Sequence, residues 1–184
     1  SYLLAAQCLR FLQMRNFDEM PTDFEDQLVA ISERNEEYPF YMHAAVLWIK
    51  LTKDGLDDST LFDLAKSLFK SSKRVHFMYW AIAVLDSLIL ATGFKYGPGH
   101  RHERVRQGWK MVTLPSFRPL HMAAALNLPE ICISLIHEGS DVNTRFSVAS
   151  TLDLALITIV AIPGLADLCS TIPRERNLIS SVND

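Results

Sequence analysis

Residues 119–143, PLHMAAALNLPEICISLIHEGSDVN, decide the fold that this sequence predicts. The stretch has room for two short amphipathic helices, each followed by a turn. Pro119 suits the first position of a helix, where its missing N–H would have no intrahelical partner. Asn127 and Gly139 stand where the first and the second helix would end, and both residue types accept positive φ more readily than most. The pattern predicts a compact pair of helices, the unit of a helical repeat.

This stretch resembles an ankyrin repeat, which has a period of about 33 residues and opens on Thr-Pro-Leu-His-x-Ala. The resemblance implies a binding scaffold, and it gives His121 a structural role in linking adjacent turns by hydrogen bonds. Arg118 departs from the family, which has a helix-capping Thr at this position. The residues that match the family pattern are Pro119, Leu120, His121, Ala123, Ala124, Glu130, Gly139, Asp141, Val142 and Asn143.

A second, incomplete copy follows at nearly the same period. Leu152 lies 32 residues after Leu120, and residues 150–155, STLDLA, resemble the same opening. No second Gly-x-Asp-Val-Asn follows. A repeat buries its apolar face only against neighbours, and about three repeats are needed for stability. We therefore expect the preceding region, or chain outside this sequence, to supply the missing neighbour.

The composition is that of a folded helical protein. Of 184 residues, 49% are hydrophobic and 21% charged, which allows one or two domains with a real core. A net charge of −3 is too small to suggest a nucleic-acid partner. Residues 71–118 carry eight Lys and Arg against two Asp and Glu. Because the flanking segments are acidic, we expect this basic stretch to find its partners within the chain.

Three cysteines and two apolar stretches bear on location. Cys8, Cys132 and Cys169 are far apart and odd in number, which is typical of a reducing, cytoplasmic setting where each thiol packs as a small hydrophobe. Residues 75–92 and 152–172 are apolar but contain charged residues or proline, so we expect buried helices and no membrane span. The chain begins in a helical pattern without Met, and we expect a fragment of a longer protein.

Helical periodicity also fills the first ninety residues. It predicts helices over about 2–14, 23–34, 38–52, 61–69 and 75–91. Asp58 or Ser59 is the expected N-cap of the fourth helix. Residues 93–117 contain Gly97-Pro98-Gly99 and most of the basic charge, which favours a connecting loop with room for a short helix.

The order of small and aromatic residues in this part carries a second resemblance. It is similar to the helical region, with its winged-helix segment, that follows the NTPase core in NACHT–ankyrin STAND proteins of fungi. The resemblance implies a larger signalling protein that contains a P-loop domain. No G-x-x-x-x-G-K-[ST] occurs within this chain, so we expect that domain to precede it. The residues concerned are the run 8–12 (CLRFL), Tyr38, Pro39, Phe40, Ala44, Ala45, Trp48, Phe77 and Trp80.

Chemical sites have weaker support than a binding role. The only cluster that resembles a metal site consists of His100 and His102, with His76 and His121 on either side of them in the sequence. A structural zinc site needs four ligands, however, and no cysteine lies nearby. We therefore favour a solvated basic loop. No G-x-S-x-G is present, and the paired acids are explained by capping and solvation, although a carboxylate pair stays open. We expect no catalytic residue, no metal and no cofactor.

These observations predict an all-α protein: a helical domain over 1–92, a basic linker over 93–112, ankyrin repeats over 113–172 (one clear, one degenerate) and a tail over 173–184. The predicted function is a non-catalytic ankyrin-repeat module that binds a protein partner and forms part of a larger NACHT–ankyrin protein. The alternative is a regulatory part of a P-loop NTPase, a STAND switch, whose catalytic core lies upstream.

The ankyrin resemblance also implies a binding surface at the hairpin tips and on the inner helices. Exposed phenylalanines at two successive tips would suit a protein hot spot, where aromatic anchors dominate. The alternative is that both phenylalanines pack against each other or against the linker. The matching positions here are Phe117, Ala125, Leu126, Phe146, Ser147, Ala149 and Ile157.

Overall fold

A computed structural model of the chain describes residues 2–52, 56–91 and 100–142, with residues 88–91 described by their backbone alone. Within these ranges the fold is all-α, as predicted, with eight α-helices and no strand. Short 3₁₀ turns at Arg15–Phe17 and Ser71–Lys73 precede the second and fifth helices. The helices are α1 (Tyr2–Leu12), α2 (Phe24–Glu37), α3 (Phe40–Leu51), α4 (Ser59–Leu68), α5 (Arg74–Ala91), α6 (Arg101–Val112), α7 (Pro119–Ala125) and α8 (Pro129–His137).

Aspartate caps explain where two of the helices begin. The Asp58 carboxylate accepts the backbone N–H of Leu61 at 2.8 Å, so Asp58 is the N-cap of α4, one of the two candidates from the sequence. The Asp23 carboxylate accepts the backbone N–H of Glu25 at 2.9 Å at the start of α2. Each carboxylate supplies an acceptor for a backbone N–H that the first helical turn would otherwise leave without a partner.

Helices α1, α3 and α5 form the centre of the core. Ala44 and Ala45 are fully buried on α3, where their small side chains allow α1 to approach closely. Trp48 and Trp80 are fully buried with ring centroids 5.8 Å apart, and the Trp80 indole N–H donates to the Ala45 carbonyl at 3.0 Å. The core therefore joins α3 to α5 by both apolar and polar contacts.

The predicted buried helix over 75–92 is confirmed as α5. This helix is apolar on all its faces, which is typical of a helix at the centre of a domain. In the described part of the chain, no helix combines the length and the apolar character that crossing a membrane requires. The second apolar stretch, 152–172, lies outside the described residues.

Helix α6 is the short helix for which the sequence left room in the basic linker 93–112. Residues 101–112 are helical and pack against α5 and α2. The buried face is narrow, with Val105, Gly108, Met111 and Val112 inward, and the other positions are mostly charged or polar. This composition makes the helix hard to recognise from hydrophobic periodicity, because the apolar stripe is short and contains a glycine that periodicity does not count as apolar.

The basic charge of α6 finds partners within the chain, as the sequence predicted. Arg104 Nε lies 2.6 Å from Asp86 Oδ1, and Arg101 Nε lies 4.0 Å from Asp86 Oδ2. Arg106 Nη2 lies 3.3 Å from Glu25 Oε1. These ion pairs join α6 to α5 and α2.

The last two helices share one hydrophobic core with the first six. Helix α8 packs against α4, and Ile131 and Cys132 on α8 are fully buried within the common core. At the edge of this contact Lys66 Nζ lies 2.7 Å from Glu138 Oε1, and the hydrogen bond from Lys66 lowers the pKa of the Glu138 carboxyl. The preceding helices thus provide a neighbour for the α7–α8 pair.

Candidate protein-interaction surface

The α7–α8 hairpin has the backbone that the sequence predicts. Pro119 is the first residue of α7, and Asn127 has a φ of 54° just after it. The Leu128 N–H donates to the Ala123 carbonyl at 3.0 Å, and the Asn127 N–H donates to the Ala124 carbonyl at 3.1 Å. This pair of bonds is a Schellman motif, which satisfies carbonyls that the helix end would leave without partners.

Helix α8 ends in the same way. Gly139 has a φ of 92°, and its N–H donates to the Ile136 carbonyl at 2.9 Å. The Ser140 N–H donates to the Leu135 carbonyl at 2.9 Å. Both helices of the hairpin are therefore closed by a left-handed residue, Asn in one case and Gly in the other. The backbone therefore leaves each of the two helices in a defined direction.

The N-terminus of α7 is completed by His121. Arginine has no acceptor atom, so the Arg118 side chain cannot accept an N–H of the first turn as threonine would. Instead the Arg118 backbone N–H donates to His121 Nδ1 at 2.9 Å. The imidazole thus has a structural role at the first turn of α7.

The described residues of the predicted binding surface are all partly buried. Phe117 packs inside the molecule, with its ring 6.3 Å from that of Phe77 on α5 and 6.4 Å from the His121 ring. Ala125 and Leu126, at the end of α7, are half-buried. The hairpin tip therefore presents part of Phe117, with the remainder of this ring used for packing.

Other predicted positions lie outside the described residues. They include the second copy of the repeat, the predicted tail and the motif residue Asn143. The binding positions concerned are Phe146, Ser147, Ala149 and Ile157.

Apolar side chains are also exposed elsewhere on the hairpin. Ile133 on α8 is 50% exposed and Val142 is 55% exposed. Ile133 borders a groove between α4 and α8 of about 460 Å³, whose walls include Phe62 and His137. Part of the hairpin is therefore covered by α4, and part of it presents apolar groups to solvent.

The predicted chemical residues have different surroundings. His100 and His102 lie exposed at the start of α6, and among the described residues no three potential metal ligands come together. Cys8 and Cys132 are fully buried free thiols, as the sequence predicted for small hydrophobes. Burial raises the pKa of the Cys132 thiol to about 12, with a smaller contribution from Glu130, so the thiol is neutral.

Sequence reasoning missed one polar cluster in the interior. Arg34 on α2 is 6% exposed, and its guanidinium carbon lies 4.2 Å from the centroids of both the Tyr41 and the Tyr79 rings. Helical periodicity places Arg34 on a polar helix and gives no indication that it is buried. Its aromatic neighbours belong to other helices, α3 and α5, so no local pattern could have found it.

The hairpin and this cluster are the two arrangements that invite a functional interpretation. Compared with known proteins, the chain matches no protein-family model, no curated protein and no solved structure.

Proposed function

We propose that the chain is an ankyrin-type protein-interaction module in which the preceding helices support the α7–α8 hairpin. The observation that supports this most directly is the shape of the hairpin. Two helices of seven and nine residues begin on Pro119 and Pro129 and end before the left-handed residues Asn127 and Gly139. Short paired helices of this kind are the stacking unit of helical solenoids, which bind partners through extended surfaces.

The proposed contact surface is the end of α7 and the turn before it. Ala125, Leu126 and Phe117 are partly buried there, so each keeps exposed area that a partner could cover. The exposed side chains of Ile133 and Val142 add apolar area on the same hairpin. A protein partner is the class that this surface suits, because interface cores combine aromatic and aliphatic anchors.

Fusion to a known repeat tests whether the hairpin is a stacking unit. Residues 1–142 would be followed directly by two consensus ankyrin repeats and a capping repeat. If α8 stacks on the first added repeat, nearest-neighbour coupling predicts one cooperative thermal transition above that of either part alone. The control joins the same repeats before residue 1 through a flexible Gly-Ser linker. Two transitions at the temperatures of the separate parts in both fusions would sink the ankyrin assignment.

Site-directed crosslinking tests the contact surface in cells. A photo-crosslinking amino acid at Ala125 should give specific adducts with a protein partner. The matched control carries the same group at Val29, which is 52% exposed on α2. Identical adducts from the two positions would show that the hairpin tip has no special role in binding.

A further inference from the structure

A cavity lies between α2 and the segment that joins α1 to α2. We propose that the cavity bordered by Arg34 binds a small zwitterion, an α-amino acid or a dipeptide, whose carboxylate pairs with Arg34 and whose ammonium group pairs with glutamates of the cavity wall. This proposal is independent of the ankyrin assignment, since none of its residues belongs to the α7–α8 hairpin.

The Arg34 guanidinium is buried without a counter-ion in the described part of the chain. Its Nη2 donates to Asn35 Oδ1 at 2.8 Å, which is a neutral acceptor. Its Nε and Nη1 are buried and have no hydrogen-bond partner. Buried charged groups are normally paired, because an unpaired ion loses its hydration without compensation. The guanidinium therefore has two unused donors, and either of them can join the second N–H of Nη2 to hold a carboxylate through two hydrogen bonds.

The two tyrosine rings hold this guanidinium in place. The ring centroids of Tyr41 and Tyr79 each lie 4.2 Å from Arg34 Cζ. Cation–π contacts of this kind favour the charged form of the guanidinium. The charge is thus positioned before any ligand binds.

The adjoining cavity has the size of a small-molecule site. Its volume is about 590 Å³, within the range of roughly 300–1,000 Å³ that is usual for ligand pockets. Phe17, Met20 and Ala30 contribute apolar wall. Such a wall can accept a hydrophobic side chain beside the polar groups.

Three carboxylates border the same cavity and restrict the charge of its ligand. Glu33 and Glu37 lie one turn apart on α2, on either side of Arg34, and Glu19 lies across the cavity. All three are exposed, and with Arg34 they give the wall an excess of negative charge. A polyanion such as phosphate would be repelled by these carboxylates. A zwitterion satisfies both signs of charge, because its ammonium group can pair with glutamate while its carboxylate pairs with Arg34.

Tyr79 controls access from the cavity to the guanidinium. Of the two rings, only Tyr79 also borders the cavity, and its hydroxyl donates to the Glu19 carbonyl at 3.1 Å. Because Arg34 Nε and Nη1 are closed to solvent in this state, ligand entry includes a displacement of the Tyr79 ring. This movement breaks the hydrogen bond to Glu19 and the contact of the Tyr79 ring with Arg34, while the Tyr41 ring stays beside the guanidinium.

Calorimetric titration of the full chain with four matched probes tests the proposal. L-Phenylalanine and L-alanyl-L-phenylalanine carry both charges, 3-phenylpropionate lacks the ammonium group, and phenethylamine lacks the carboxylate. We expect saturable binding of at least one zwitterion, and an affinity about tenfold or more lower for each singly charged analogue. The two zwitterions distinguish a free amino acid from a peptide. Inorganic phosphate serves as the polyanion and should not bind.

Variants of the exposed glutamates test the site without disturbing the core. Glu33→Gln combined with Glu37→Gln should weaken the zwitterion about tenfold and leave 3-phenylpropionate unaffected or tighter. Glu36→Gln is the matched control, since Glu36 lies on the same helix and does not border the cavity. Arg34→Lys keeps the charge but loses the fork, and should weaken both carboxylate probes.

Three results would overturn the proposal. No saturable binding of either zwitterion would mean that the cavity holds only water. Equal affinity for L-phenylalanine and 3-phenylpropionate, or for L-phenylalanine and phenethylamine, would show that one of the two charges is not recognised. Equal effects of the Glu36→Gln and the Glu33→Gln, Glu37→Gln changes would place the bound molecule elsewhere. The glutamate variants keep the test decisive even if Arg34→Lys does not fold.

Discussion

Arg104 on α6 donates to Asp86 on α5, with Nε and Oδ1 2.6 Å apart and both side chains about 4% exposed. Asp86 is a charged residue in an otherwise apolar helix, and this pair explains its presence there. Arg101 approaches the other oxygen of the same carboxylate at 4.0 Å. The pair joins the basic helix to the central helix at one defined register.

Breaking this pair should be costly. Asp86→Asn removes the carboxylate charge that pairs with the buried Arg104 guanidinium, and we expect the free energy of unfolding to fall by about 3–5 kcal/mol in urea denaturation. Replacing both residues, Asp86→Leu with Arg104→Met, should cost much less, because no charge is then left buried.

The exposed ion pair of the same helix is the control. Arg106→Met removes the pairing with Glu25, which is solvent-exposed, and should change stability by less than about 1 kcal/mol. An Asp86→Asn cost no larger than that of Arg106→Met would contradict the structural role of the buried pair.

Two glycines should respond in opposite directions to the same substitution. A Cβ at Gly108 would lie 3.6 Å from Ile82 and Leu85, which is ordinary contact, so Gly108→Ala should stabilise the protein by about 0.5–1 kcal/mol through helix propensity. Gly139 has open space but a φ of 92°, so Gly139→Ala should cost about 1–2 kcal/mol. Thermal unfolding measures both. The same sign for the two variants would contradict this account.

The helices that the sequence predicted well are those with a wide apolar face or a clear end. The turns at Asn127 and Gly139 were predictable because each depends on one residue and its own φ. The sequence left room for only a short helix in the linker, because the inward face of α6 includes Gly108 and because its burial depends on a carboxylate of α5. Periodicity reports only what lies within one helix, whereas this helix is stabilised from outside.

Alkaline pH should destabilise the protein partly through Cys132. Its pKa is raised from 9.0 to about 12 by burial, so between these values the unfolded chain loses the proton that the folded chain keeps. The contribution of the buried Cys132 thiol to stability is therefore complete below pH 9.0, and it is lost as the pH rises toward about 12.

The comparison of the wild type with Cys132→Val measures this contribution. The difference in unfolding free energy between pH 8 and pH 10 should be smaller in the variant by up to about 1 kcal/mol. Tyrosines that titrate in the same range cancel in this comparison. An identical loss in both proteins would show that the thiol ionises equally in the folded and unfolded states.

The candidate sites were predictable to different degrees. Phe117 was visible in the sequence because a motif gives it a position, but its packing on Phe77 comes from a helix forty residues earlier. The Arg34 cluster had no sequence indication, since the residue is polar and its two tyrosines lie on other helices. Sites of this second kind are created by tertiary packing alone.

Phe117→Ala should lower stability, because the partly buried ring packs against Phe77 of α5. We expect a loss of about 1–2 kcal/mol in urea denaturation, less than for a fully buried phenylalanine. Ile133→Ala is the control, since Ile133 is 50% exposed and should cost less than about 1 kcal/mol. Equal costs for the two variants would show that the contact of Phe117 with Phe77 contributes little to stability.

The start of α7 offers a direct test of how this helix departs from the ankyrin pattern. Arg118→Thr supplies a hydroxyl acceptor for the first turn, where arginine has none, and should raise the free energy of unfolding by about 1 kcal/mol. His121→Ala removes the imidazole that accepts the Arg118 N–H and should cost a similar amount. Asp58→Ala is the reference, because it deletes an existing N-cap whose Oδ1 lies 2.8 Å from the Leu61 backbone nitrogen. If Arg118→Thr is neutral while Asp58→Ala is destabilising, the first turn of α7 is already satisfied, and the turn does not use the threonine cap of the family.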